Sequence, residues 1–223
     1  MGGAGPDSNA PDWRKLVAGV LLAGGQSRRM GGGDKALKLL GARPMIAHAA
    51  ARLAPQTGKL VINANGDLAR FAEFNLPVVA DSIGGFAGPL AGVLAGMDWA
   101  REHAPGARWI VTAATDTPFF PRDLVARFVA AAGHGEETIA LARSGGHMHP
   151  VFGLWPLALA QDLRGWLTRG ENSKVLAWTD RHDMVAVTFP GFVAGGKMLD
   201  PFFNANTPED MAVAQAVLEE IGA

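Results

Sequence analysis

Apolar and polar positions in this chain come in short blocks. Val17–Ala23 is an uninterrupted apolar run, long enough for a buried strand and too short for a helix. Lys59–Asn63, Pro77–Ala80 and Arg108–Ala113, each built around a shorter apolar stretch, are further candidate strands. Apolar residues at helical spacing predict helices between them, at Met45–Ala54, Asp67–Phe74, Leu90–Trp99 and Arg122–Ala132. This alternation predicts an α/β fold with a three-layer, mostly parallel twisted sheet and helices on both faces. After Ala132 the alternation weakens. Strands at Thr138–Arg143 and Met148–Trp155 flank Ser144-Gly145-Gly146-His147, which predicts an antiparallel hairpin in the C-terminal half. Helices at Ala158–Arg169 and Lys174–Thr179, a strand at Met184–Val187 and a helix at Glu209–Ile221 complete the prediction. Residues 1–15 are expected to be a disordered tail, since Met1 to Asp12 is rich in Gly, Pro, Asp and Asn without periodicity. Residues 16–223 are expected to form one domain.

In a parallel sheet of this kind, ligands sit beyond the carboxyl ends of the strands. Four apolar runs end there in polar groups. The first leads into the glycine-rich stretch Gly24 to Lys35, the second into Asn63-Ala64-Asn65-Gly66, the third into Asp81 and the fourth into Thr115-Asp116-Thr117-Pro118. Singly these read as turn and cap residues. Their shared position marks a candidate site. Thr207-Pro208-Glu209-Asp210 reads as a capped helix start.

The chain has 223 residues, 48% of them hydrophobic, enough for a sizeable core. A formal net charge of −1 points to no nucleic-acid or membrane surface. No apolar run nears the roughly 20 residues of a membrane span, and no signal peptide is visible, so a cytoplasmic location is expected. With no cysteine, disulfides, thiolate metal sites and a cysteine nucleophile are excluded. His147 and His149 share a strand face, but without a third ligand nearby they read as structural or substrate-contacting.

Gly24 to Lys35 holds five glycines together with Arg28, Arg29 and Lys35. Such a loop lets backbone N–H groups approach a polyphosphate while cations meet its oxygens. It is neither a Walker A loop nor a dinucleotide fingerprint. Leu22-Ala23-Gly24-Gly25-Gln26-Ser27-Arg28-Arg29-Met30-Gly31-Gly32-Gly33-Asp34-Lys35 resembles the signature loop of the nucleotidyltransferases that activate sugars, polyols and pterins. Gly24-Gly25 after Leu-Ala, and Asp34 before Lys35, resemble the molybdenum cofactor guanylyltransferases, the branch that joins GMP to molybdopterin. Gly88-Pro89-Leu90-Ala91-Gly92, Thr115-Asp116-Thr117-Pro118, His149-Pro150 and Asn204-Ala205-Asn206-Thr207-Pro208-Glu209 resemble further family segments.

The resemblance implies a Rossmann-like nucleotidyltransferase fold, GTP and molybdopterin or molybdenum cofactor as substrates, and Mg²⁺ as cofactor. It also implies dealings with molybdenum-insertion and molybdoenzyme chaperone proteins. Arg29, Lys35 and Asp116 are the implied catalytic residues, with Asp116 as metal ligand. The implied nucleotide site is Leu22, Ala23, Gly24, Gly25, Lys35, Asn63, Asp81, Gly88 and Asp116. His149, Lys174, Asn204 and Asn206 fall on the acceptor side. The family carries Arg after Gly-Glu; this chain has Asn172-Ser173-Lys174, and a lysine gives a point charge without a guanidinium fork.

For guanine, candidate acceptors are the carbonyls of Leu22 to Gly24, the amide oxygen of Asn63 and the carboxylate of Asp81. Gly24 leaves room for a purine, which favours GTP over CTP without excluding ATP. Three readings compete: guanylyl transfer to molybdopterin; cytidylyl transfer to molybdopterin, or nucleotidyl transfer to a sugar phosphate; and a non-catalytic GTP-binding adaptor. Lys35 and Asp116 together argue against the last, since binding alone does not need both.

Overall fold

The computed structural model describes residues 12–24, 34–84, 88–133, 135–170 and 174–221. In chain order the elements are β1 (Val17–Leu22), β2 (Leu39–Leu40), β3 (Arg43–Pro44), α1 (Met45–Leu53), β4 (Lys59–Asn63), β5 (Val78–Val79), α2 (Pro89–His103), β6 (Trp109–Ala114), α3 (Leu124–Ala132), β7 (Ile139–Ser144), β8 (His147–Pro156), α4 (Ala160–Thr168), α5 (Val175–Thr179), β9 (Met184–Thr188), β10 (Phe192–Ala194), β11 (Lys197–Leu199) and α6 (Pro208–Ile221). Seven strands form one sheet in the order β5-β4-β1-β6-β8-β7-β9. β8 pairs antiparallel with both β6 and β7, while all other pairings are parallel, so β8 alone runs against the rest. The mostly parallel three-layer sheet is as the sequence predicts.

The apolar runs are continuous because the central strands are covered on both faces. Val17 and Leu21 of β1, with Val111 and Ala113 of β6, face the layer holding Ile46 and Leu53 of α1 and Phe128 of α3. Ala18, Val20 and Ile110 face the layer of α2, α4 and α5, where Val93, Met97, Leu163 and Trp178 lie. A smaller cluster joins Leu40, Phe119, Ala194 and Ala205 to Ala214 and Val217 of α6. The chain moves from β1 to β4 on one side and later returns to β6 on the other. The carboxyl ends of β1 and β6 therefore flank the point where the winding reverses, the usual place for a ligand crevice.

Several boundaries differ from expectation. The segment expected as a regular helix at Asp67–Phe74 is a 3-10 helix, Leu68–Phe74, capped by Asp67. Phe71 is its only buried residue, too little to sustain an amphipathic α-helix. The third strand shrinks to Val78–Val79, on the edge of the sheet. Of the segment expected as a tail, residues 12–15 are described and ordered: Asp12 caps a 3-10 turn at Trp13–Leu16, and Gly58 N–H bonds Val17 O at 3.0 Å just beyond it; residues 1–11 lie outside the described residues. The hairpin is as expected, with Gly145 and Gly146 both at positive φ, as a two-residue turn between twisted strands requires. The short ribbons β2–β3 and β10–β11 were not foreseen.

α2 lies close on the sheet because Gly92 and Gly96 bring no side chain to the contact. A Cβ at Gly96 would stand 2.5 Å from Val20 Cγ2 and 3.2 Å from Ile110 Cδ1. Gly96→Val is expected to destabilise the fold by about 1–3 kcal/mol through overpacking. A lower urea midpoint at unchanged slope is the reading that checks this.

Candidate active site

Lys35 opens a short 3-10 turn, Lys35–Leu37, after the glycine loop. Asp34 holds that turn: its Oδ1 accepts from Ala36 N at 3.0 Å and its Oδ2 from Arg70 Nε at 2.7 Å. Arg70 is itself fixed over the Phe71 ring, 4.5 Å from the centroid, and bonds the carbonyl of Asp67. Arg70 carried no signal in the sequence, because its role depends on a contact 36 residues away.

The Lys35 ammonium donates to Asn206 Oδ1 at 2.6 Å and lies 4.0 Å from Asp116 Oδ2. Asp116 stands just past the end of β6, next to Ala114 and Thr115. Its backbone carbonyl accepts from Ala205 N at 2.9 Å, and the neighbouring Thr117 hydroxyl bonds Asn204 Oδ1. The 204–206 segment is thus laced to the carboxyl end of β6. Asp210 fixes its far end, accepting from Asn206 N at 3.0 Å and Thr207 N at 2.9 Å, while Thr207 Oγ1 caps Asp210 N at 3.1 Å. This reciprocal cap is the helix start read from the sequence, and it also sets the position of Asn206. Of the two residues expected beside the acceptor, Asn206 sits on Lys35 and Asn204 on Thr117, the neighbour of Asp116.

Burial pushes the Asp116 carboxyl above its ordinary range; Lys35 nearby and the bonds to its own backbone and Thr117 oppose this without cancelling it. Asp116 is not a helix cap, since α3 begins only at Leu124. Among the described residues no cluster of three or more His, Asp or Glu could hold a metal by protein ligands alone. One carboxylate in a polar crevice does fit Mg²⁺, which takes one or two carboxylates and completes its shell with substrate phosphates and water.

A second polar group lies at the ends of β4 and β5. Asp81 Oδ1 accepts from Asn63 Nδ2 at 2.9 Å, and Oδ2 from Asn65 Nδ2 at 2.7 Å. Asp81 N–H in turn donates to Asn65 Oδ1 at 3.0 Å. The Asn63 amide oxygen, expected to face a base, instead lies against Gly92, where any Cβ would collide with it. Asn63 therefore aims Asp81. Asn65 reads locally as a turn residue, and its spacing of two from Asn63 is the signal in the sequence for its part in this group. Leu22 O is engaged by Thr115 N and Oγ1, each at 3.4 Å, and Ala23 N bonds Asn63 O at 2.9 Å. Among the described residues, nothing lies within 4 Å of where a Cβ at Gly24 would stand. Gly88 precedes α2 with extended backbone. Gly25 and Arg29 lie outside the described residues.

His149 is at the same sheet edge, near the start of β8. Ser144 Oγ lies 2.6 Å from His149 Nε2 and 2.7 Å and 2.6 Å from the Asp200 carboxylate oxygens. The single hydroxyl proton goes to Asp200, so His149 carries its proton on Nε2. The imidazole stacks on Phe202, ring centroids 4.7 Å apart. Burial lowers its pKa, with Asp200 opposing and His147 adding to the lowering. Residues 200–206 therefore run from His149 past Asp116 to Lys35. Lys174 stands exposed at the start of α5, on the α2 and α4 side of the sheet, and the preceding Glu171 to Ser173 lie outside the described residues.

A family model, the MobA-like NTP transferase domain, matches residues 19–185, which spans the glycine loop, Asn63, Asp81, Asp116 and the hairpin. This chain belongs to that family. A molybdenum cofactor guanylyltransferase of Bradyrhizobium sp. (strain ORS 278) is 53% identical over 199 residues, covering 89% of this chain and 92% of its own. The enzyme of that name from Mesorhizobium japonicum is 48% identical over 208 residues, covering 93% and 99%. Among solved structures, molybdopterin-guanine dinucleotide biosynthesis protein A from Archaeoglobus fulgidus superposes with a TM-score of 0.68 at 19% identity, covering 91% of this chain and 98% of that one. At that identity the likeness speaks for the fold, and it is the nucleotidyltransferase fold of the MobA-like family.

The Asp116 environment fixes a sign. Its folded-state pKa exceeds the unfolded value, so its ionisation disfavours the fold progressively as pH rises through these values. With divalent cations chelated, Asp116→Asn should gain in melting temperature relative to wild type as pH rises from about 4, the ordinary carboxylate value. Thermal melts at rising pH check this; a variant that loses ground as pH rises would make the ionised carboxylate a net stabiliser.

Proposed function

We propose that this chain transfers GMP from GTP to the phosphate of molybdopterin or molybdenum cofactor. An acceptor phosphate oxygen attacks the α-phosphorus in line, the bond to the β-phosphate bridging oxygen breaks, and pyrophosphate leaves. The acceptor is already ionised near neutral pH, so no general base is needed. The demands are the alignment of two anions and stabilisation of the charge that builds up. The observation that carries this reading is the meeting of Lys35, Asp116 and Asn206 at the crevice between β1 and β6.

Lys35 is positioned by Asn206 from one side and by the Asp34–Arg70 bond behind its turn. Its ammonium meets the α-phosphate, where negative charge develops, and Arg29 takes the β- and γ-phosphates. Asp116 would hold Mg²⁺, which would supply positive charge to offset that of the phosphates. Asn204 and Asn206 belong to this phosphate end, by their bonds to Thr117 and Lys35. His149 and Lys174 remain on the acceptor side, with His149 neutral near pH 7.

Asp81 reads the base. Guanine presents N1–H and N2–H₂ as adjacent donors, and a carboxylate can accept from both while keeping its bonds from Asn63 and Asn65. Cytosine and adenine place an unprotonated ring nitrogen beside their amino group, and its lone pair would face the Asp81 charge. The absence of a side chain at Gly24 suits the larger purine, with no described residue within 4 Å of its missing Cβ.

Incubation with each of the four NTPs, Mg²⁺ and molybdopterin or molybdenum cofactor, with pyrophosphate and the dinucleotide product followed, tests the assignment. GTP is expected to be used well above CTP and ATP, and Asp81→Ala should erode that preference more than it weakens pyrophosphate binding. Equal or faster turnover with CTP would replace the guanylyl assignment with a cytidylyl one.

Asp116→Asn keeps the shape of the side chain and loses the charge for the metal, so transfer should fall by ~10²–10⁴-fold. Asn206→Ala should lower kcat more than it raises KM for GTP, because it frees Lys35 without touching the base. Steady-state kinetics on both variants give the answer; near wild-type turnover of Asp116→Asn at low Mg²⁺ would remove the metal role.

A further inference from the structure

A cavity of about 360 Å³ opens beside the C-terminal end of α1, between the Phe119–Asp123 turn, α3 and the Phe189–Phe192 segment. None of its lining residues takes part in the chemistry proposed above. Three arginines face it, Arg52, Arg122 and Arg127, against one carboxylate, Asp123. Among the described residues none of the three forms an ion pair with a carboxylate. Two are nevertheless held in place. Arg52 Nη1 donates to Phe120 O at 3.0 Å and its guanidinium lies over the Phe119 ring, 5.9 Å from the centroid. Arg127 Nη2 donates to Thr188 O at 2.7 Å and stacks 4.4 Å above Phe189.

This arrangement is unusual for solvated surface cations. Each guanidinium has five N–H donors in a planar fork, and one neutral carbonyl leaves most of them unused. Partly burying like charges without a counter-ion is unfavourable. Burial, with Arg122 close by, lowers the Arg52 pKa to about 10. Phe192, Pro201 and Ile221 make the other walls apolar. The volume falls within the range of small-molecule sites, which are apolar cavities with a few fixed polar groups.

We propose that this cavity is a second ligand site, taking an organic anion that joins a phosphate or carboxylate to a flat apolar body. The anionic group bridges the Arg52 and Arg127 forks, which suit planar or tetrahedral oxyanions. The apolar body lies against Phe192 and Pro201. The site is separate from the nucleotide crevice, so GTP and this ligand bind together.

Isothermal titration of the full chain with phenyl phosphate, benzoate and inorganic phosphate, each with and without saturating GTP, tests this. One saturable site for phenyl phosphate or benzoate, unmoved by GTP, is expected. Arg52→Met and Arg127→Met should each weaken it by about tenfold, the effect of one charge-assisted hydrogen bond. Should either variant fail to fold, Arg122→Gln alters only an exposed residue and should also weaken binding. Displacement by GTP, binding that ignores all three substitutions, or no saturation by either aromatic anion would overturn the proposal. Inorganic phosphate binding as tightly as phenyl phosphate would overturn the apolar half, and capture of a glutamate-rich peptide without either aromatic anion would make the surface a protein-docking one.

Discussion

The hydrogen bond from Lys35 to Asn206 joins residues 171 positions apart, and the site depends on it. Lysine is a long, flexible cation that would otherwise sample many rotamers or collapse onto Asp116. With Asn206 on one side and Asp116 at 4.0 Å on the other, the ammonium is held without being neutralised by direct contact. A cation kept available in a partly buried crevice is what an incoming polyphosphate requires, because little reorganisation then remains to be done.

Holding Lys35 in this way makes demands on the rest of the chain. Residues 200–206 must cross the sheet edge, so Asp200 is tied to Ser144, Ala205 to Asp116 O, and Asn206 to the first turn of α6. α6 must be anchored, and it packs through Ala214 and Val217 against Leu40 and Phe119. On the other side, Asp34 is spent on the turn that presents Lys35, with Arg70 securing it. The three hydrophobic clusters thus meet their functional purpose at one edge.

The base-side group follows a similar logic on a smaller scale. Asp81 would be free to swing at the end of a two-residue edge strand if Asn63 and Asn65 did not hold both of its oxygens. Asn63 is buried, and its oxygen fits only because Gly92 lets α2 approach. A glycine on a helix in one layer therefore sets the aim of a carboxylate at the end of another strand. Charge placement at both ends of the crevice comes from packing, and at Asp116 burial raises the pKa against the pull of Lys35.

The sequence by itself determined a good deal. Continuous apolar runs specify strands buried on both faces, helical spacing specifies their covers, and together they fix a mostly parallel sheet. The sheet then dictates that Gly24, Asn63, Asp81 and Asp116 share one edge, since each ends a strand or lies within two residues of its end. The paired glycines of the hairpin and the Thr207 cap were equally legible, because turn and cap chemistry is local. The 3-10 form of Leu68–Phe74, the two short ribbons and the partners of Asn206, Arg70 and Asn65 were not. Each is decided by a contact between residues distant in the chain, where local propensity is weak and side-chain direction is set by what packs behind it. Only the tertiary structure could bring Asn206 onto Lys35 and Asn204 onto Thr117 beside Asp116, or turn the Asn63 oxygen away from the crevice, because excluded volume and hydrogen-bond geometry, not residue type, choose between those arrangements.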